Sequence, residues 1–103
     1  MKYVIIHTTF PDVDAAKIVS DNLLQEKLIA CSNFHMITSS YLDKGKIVNT
    51  DEITVLMKTT EELYEKAKAY IAQNHPYDIP DISRLDANAN DEYSNWLKKE
   101  LKN

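Results

Sequence analysis

Two apolar-striped helical segments alternate with four segments rich in β-branched residues, and one glycine sits between two extended runs of about 13 residues each. This order predicts an α+β fold: a ferredoxin-like split βαβ sandwich with a long hairpin between its second and third strands and a C-terminal helix. A third observation fixes where the second half turns. Asn74-His75-Pro76-Tyr77-Asp78-Ile79-Pro80-Asp81-Ile82 places two prolines and a histidine between the second helix and the last strand. Pro76 has no N–H to continue a helix, so Asn74 and His75 stand at a helix end, and Pro80 fits a strand entrance where no donor is needed.

Lys2 to Thr9 reads as the first strand, with Tyr3, Ile5 and His7 facing one way and Val4, Ile6 and Thr8 the other. Apolar residues on both faces imply a central position. Phe10-Pro11-Asp12 is a turn, and Asp12 caps a helix from about Val13 to Lys27 whose apolar stripe is Ala16, Val19 and Leu23. Ile29 to Tyr41 and Lys46 to Thr59 form the hairpin, turning at Leu42-Asp43-Lys44-Gly45, where the lone glycine supplies a positive φ. Such an arm extends about 43 Å at 3.3 Å per residue, longer than a domain of this size is wide. The tip therefore overhangs the body, and its open edges predict pairing with another subunit. Thr59 and Glu62 have capping-box spacing at the start of the second helix, whose buried stripe is Leu63, Ala67, Tyr70 and Ile71. Ile79 to Leu85 is the fourth strand, Asp86-Ala87-Asn88-Ala89-Asn90 a loop, and Asp91 opens a helix with Tyr93, Trp96, Leu97 and Leu101 on one side. Right-handed crossovers place strand one between strands three and four, so that His7 and Thr8 come near His75.

The chain of 103 residues reads as a single domain spanning residues 1–103. Its 44% hydrophobic and 27% charged residues are those of a soluble globular protein, and no apolar run nears the roughly 20 residues that span a bilayer, so no membrane association and a cytoplasmic location are expected. A net charge of −4 argues against nucleic acid as a partner. The same strand order builds RNA-binding domains, but Ile47 to Lys58 contains neither the aromatic residues nor the glycine that stack bases there. One glycine excludes a phosphate-cradling glycine loop, and one cysteine excludes an internal disulfide.

Three residues are candidate metal ligands: His75, His7 and Cys31. His75 has a rigid mount between helix and strand, and His7 is the imidazole brought nearest to it. Two imidazoles suit copper(II), zinc or nickel, with copper(II) bound tightest, so copper(II) is the expected cofactor. Cys31 and His35, four apart on one strand, lie about 13 Å from each other and share no ion within it. Cys31 also begins its strand at the end of the sheet away from His75, so the two do not meet within one subunit. For catalysis there is no nucleophile elbow, no HExxH helix and no recurrent acid pair, so no enzyme is expected.

Thr8-Thr9-Phe10-Pro11-Asp12, Leu28-Ile29-Ala30-Cys31-Ser32-Asn33, Gly45-Lys46, Lys58-Thr59, the His75 to Ile82 stretch and Tyr93-Ser94-Asn95-Trp96 together resemble the CutA divalent-ion tolerance family across nearly the whole chain. The resemblance implies the ferredoxin-like fold, a homotrimer with intersubunit strand pairing, and a role in tolerance of copper and other divalent metal ions. Some bacterial members resemble copper binders through a cysteine late in strand one and paired histidines before Pro-Tyr. The matching residues here are Thr8, Asn74 and His75, so one ligand of that set remains. Leu42-Asp43 stands where many relatives carry a tip tryptophan, and Phe34-His35-Met36 replaces a Pro-Gly. The expected function is thus a non-enzymatic trimer that binds or reports divalent cations. The alternative is a small-molecule sensor resembling PII-like signalling proteins, with a metabolite in an intersubunit cleft lined by His75, Tyr77 and the hairpin.

Overall fold

A computed structural model describes residues 2–102. The elements run β1 (Lys2–Phe10), α1 (Val13–Gln25), β2 (Cys31–Asp43), β3 (Lys46–Thr59), α2 (Glu61–Asn74), β4 (Ile82–Asn88) and α3 (Asp91–Glu100). The four strands form one antiparallel sheet in the order β2-β3-β1-β4, as the crossover rule requires. One face is covered by α1 and α2. Val4, Ile6 and Phe10 of β1 and Ile53, Val55 and Met57 of β3 point into that layer and meet Ala16, Val19, Leu23, Tyr64, Ala67 and Ile71 from the helices. Tyr64 joins the stripe foreseen for α2, while Tyr70 is only partly buried at its margin.

The termini show where local chemistry yields to packing. Asp12 caps α1 as expected, its Oδ1 accepting from Ala15 N–H at 2.8 Å. The helix ends at Gln25 rather than Lys27, because Lys27 adopts φ 58° and Leu28 N–H turns back to the Leu23 carbonyl. The expected Thr59–Glu62 capping box does not form. Thr59 is fully buried and donates its hydroxyl to the Leu28 carbonyl at 2.6 Å, so Thr60 takes the N-cap position. The hairpin turns on Lys44 and Gly45 alone, both with positive φ, and Leu42 and Asp43 remain in β2, paired with Ile47 and Lys46. β4 starts three residues later than expected and runs on through Asp86, Ala87 and Asn88, which pair with Val4, Tyr3 and Lys2. Backbone pairing with an already formed β1 outweighs the polar composition that suggested a loop.

β3 pairs with β1 only from Ile53 to Thr59. Beyond that, the β2–β3 ladder continues without a bulge from Ile37↔Glu52 to Asp43↔Lys46, which is the overhanging arm. It draws the molecule out to 45 Å along one axis against 24 and 20 Å across. Leu97 of α3 and Leu101 just beyond its end pack against Leu63, and Trp96, placed on the buried side by its spacing, is 44% exposed. On the same helix, Tyr93 meets Tyr3 edge-on and accepts a hydrogen bond from Lys58 Nζ at 3.2 Å. Among the described residues no helix is long and apolar enough to cross a membrane.

Candidate functional site

The face of the sheet away from α1 and α2 carries the odd-numbered residues of β1 and the even-numbered residues of β3, since side chains alternate along a strand. Ile5, His7, Thr9, Thr54, Leu56 and Lys58 are each only partly buried there. Toward the overhanging arm this face deepens into a cleft of about 640 Å3. His7 and Thr9, Tyr41 and Glu52 of the hairpin, and Tyr77 and Asp81 of the proline stretch line it.

His7 enters the cleft from the middle of β1, its register partners being Ser83 and Leu56. Its Nδ1 lies 3.3 Å from Asp81 Oδ2, and both side chains are partly exposed. A carboxylate at Nδ1 holds the imidazole in one orientation and leaves Nε2 directed elsewhere, the arrangement by which carboxylates support metal-binding histidines. Across the cleft, Tyr77 donates its hydroxyl to Glu52 Oε2 at 2.6 Å. Burial first, then the hydrogen bond and charge of Glu52, raise the Tyr77 pKa well above the usual tyrosine range, so the phenol stays a donor. Glu52 and Asp81 are thus two carboxylates in a cleft that no described lysine or arginine lines.

His75 lies on the other side of the sheet. As the C-cap of α2 it leaves the helix with extended backbone, stacks on the buried Phe10 ring at 4.3 Å, and places Nε2 3.2 Å from Thr8 Oγ1. Tyr77 N–H donates to its Nδ1 at 3.1 Å. Nδ1 is therefore the unprotonated nitrogen, and Nε2 carries the proton it gives to Thr8. Burial lowers the His75 pKa, opposed by the Thr9 backbone and the Glu52 charge. The ring is a neutral, fully engaged bracket between α2 and β1.

Of the residues singled out from sequence, the structure joins His75 to Thr8 but does not join His75 to His7, because residues 7 and 8 face opposite sides of β1. His75 is accordingly absent from the cleft that Tyr77 and the hairpin line. Cys31 is half-buried opposite Lys58, four residue pairs along the sheet from the row of Thr9. No three His, Cys, Asp or Glu side chains gather as a metal site among the described residues. Asp81 and Glu52 went unrecognised in the sequence. The available signal for Asp81 was the register itself: with His7 opposite Ser83, a residue two before Ser83 falls on the same face.

A split βαβ sheet with helices over one face, a largely open second face and an overhanging hairpin defines a ferredoxin-like α+β protein. The profile of the CutA1 divalent ion tolerance protein family matches residues 4–100, and the chain belongs to that family. It is similar to the divalent-cation tolerance protein CutA of Pyrococcus horikoshii, 42% identical over 100 residues that cover 96% of this chain and 98% of that one. The CutA of Thermotoga maritima is 36% identical over 99 residues, covering 95% and 98%. Among solved structures, CutA1 of Pyrococcus horikoshii superposes with a TM-score of 0.93 at 40% identity, covering 97% of this chain and 99% of that chain. CutA1 of Oryza sativa gives 0.92 at 29% identity, covering 99% and 95%.

Proposed function

We propose that this protein is a non-enzymatic cytosolic homotrimer that serves divalent-cation tolerance by binding the cation, chiefly copper(II), at the open-face cleft. The observation that carries this reading is His7, backed at Nδ1 by Asp81, with Nε2 left for a ligand in a cleft that holds two carboxylates. Copper(II) outcompetes the other common divalent ions for an imidazole nitrogen. His75 is the second candidate donor, but it becomes one only by releasing the Tyr77 amide or turning from Thr8. Cys31, at the other end of the open face, would serve only an ion shared with another subunit. The partly exposed Ile5 and Leu56 and the overhanging arm support a covered assembly, and the number three follows from the family resemblance.

Titration of copper(II) into metal-free protein, read by calorimetry and electron paramagnetic resonance, tests this reading. One ion per chain with a nitrogen signature is expected, lost in His7→Ala and retained in His75→Ala. Binding that survives His7→Ala but not His75→Ala moves the site to the Thr8 side of the sheet, and binding indifferent to both refutes it. Sedimentation equilibrium tests the trimer. The second reading, a metabolite sensor, draws on the aromatic walls Tyr41 and Tyr77 of the same cleft. Metal-independent thermal stabilisation by a small molecule would support it.

A further inference from the structure

A second cavity, of about 420 Å3, opens beside the start of α2, at the end of β3 remote from the cleft. Lys66 of α2 and Lys98 and Lys102 of the C-terminal segment line it, over an apolar floor that includes Leu63. None of these lysines forms an ion pair with a described carboxylate, even though Glu62 precedes Lys66 by one helical turn. Thr60 also lines the cavity. It is 8% exposed and occupies the N-cap of α2 with extended backbone, yet its side chain makes no capping bond. No described residue hydrogen-bonds that hydroxyl, although a threonine at this position ordinarily caps the helix. Of the two acidic side chains in the first turn, Glu61 is drawn aside by Arg84 of β4, which grips both its oxygens at 2.6 and 2.8 Å and stacks on Tyr64, while Glu62 stays at the cavity rim. The start of a 14-residue helix, a solvent-accessible hydroxyl that no described residue engages, on a residue only 8% exposed, and three ammonium groups that no described carboxylate pairs with thus converge on one space in a chain whose net charge is −4.

We infer that this cavity binds the phosphate group of a phosphorylated small molecule. The first amides of α2 and the Thr60 hydroxyl donate to the phosphate oxygens, and Lys66, Lys98 and Lys102 neutralise their charge. The cavity is larger than one phosphate requires, and Glu62 at its rim is an acceptor for a hydroxyl or amine on the rest of the ligand. The site is independent of the copper reading, because it shares no residue with the open-face cleft.

The probe is pyrophosphate, titrated calorimetrically into the intact protein at physiological salt, with thermal melts to confirm that each variant is folded. Saturable binding at one pyrophosphate per chain is expected, weakened about tenfold in Lys98→Met by loss of one charge-assisted contact. Thr60→Val weakens it several-fold, and Lys46→Met, at the hairpin tip far from the cavity, leaves it unchanged. Absence of saturable binding overturns the proposal. So does an equal loss in Lys46→Met, which would mark diffuse surface attraction, or a folded Thr60→Val that binds as the wild type does.

Discussion

Replacing Asp81 by asparagine keeps the size of the side chain and removes the charge that lies 3.3 Å from His7 Nδ1. If His7 is the copper donor, this change acts on the metal through the ring it orients. Removal of a supporting carboxylate typically costs 10- to 100-fold in metal affinity. Asp81 is 52% exposed, so solvent screens its field on the imidazole and the loss falls at the low end, about tenfold or about 1.4 kcal/mol. Protein stability changes much less, because a partly exposed pair of this kind contributes about 0.2–1 kcal/mol. Affinity is measured by competition with a chromophoric copper chelator, and folding by thermal melts of the same samples. A tenfold weaker site in a protein that melts nearly as the wild type does is the expected result. An affinity within twofold of wild type would refute the orienting role of Asp81. A loss as complete as that in His7→Ala would refute it differently, by making Asp81 a direct ligand.

Two further outcomes rest on the opposite face and on the tail helix. Burial lowers the His75 pKa from its ordinary 6.5, so the unfolded chain binds the proton more readily than the native one does. Its stabilising contribution is therefore complete above the unfolded value and is lost as pH falls through that value toward the lowered native one. Urea denaturation of metal-free protein between pH 7.5 and 5 should show this loss, and His75→Gln should flatten that part of the profile; an unchanged profile in the variant would contradict it. Leu97 is fully buried between α3 and Leu63, so Leu97→Ala should cost about 2–5 kcal/mol in urea denaturation, and a change below about 1 kcal/mol would mean that α3 is held by other contacts.

The alternation of β1, the stripes of α1 and α2 and the stop at His75-Pro76 were all legible, because each depends on side chains a few residues apart. Handed crossovers then yielded the sheet order, and strand length yielded the overhanging arm, without knowledge of any specific contact. The opposite sides taken by His7 and His75 were not legible. Alternation puts His7 and Thr8 on opposite faces, but the side on which a residue beyond α2 arrives depends on how α2 packs. Here the buried Phe10 ring receives His75 by stacking. The Asp81 carboxylate behind His7 and the Glu52 acceptor for Tyr77 were hidden for the same reason. They unite residues 74 and 25 positions apart, whose meeting is set by register and by the path of the proline stretch. At Thr59 the tertiary structure reversed a local signal, since a fully buried hydroxyl must be satisfied and the nearest acceptor was the Leu28 carbonyl. Sequence by itself therefore determined the elements and their order, through short-range periodicity and chain handedness, and pointed to the family through the resemblance of its motifs. The tertiary structure alone decided which polar groups share a cleft, because that depends on distances between segments far apart in the chain.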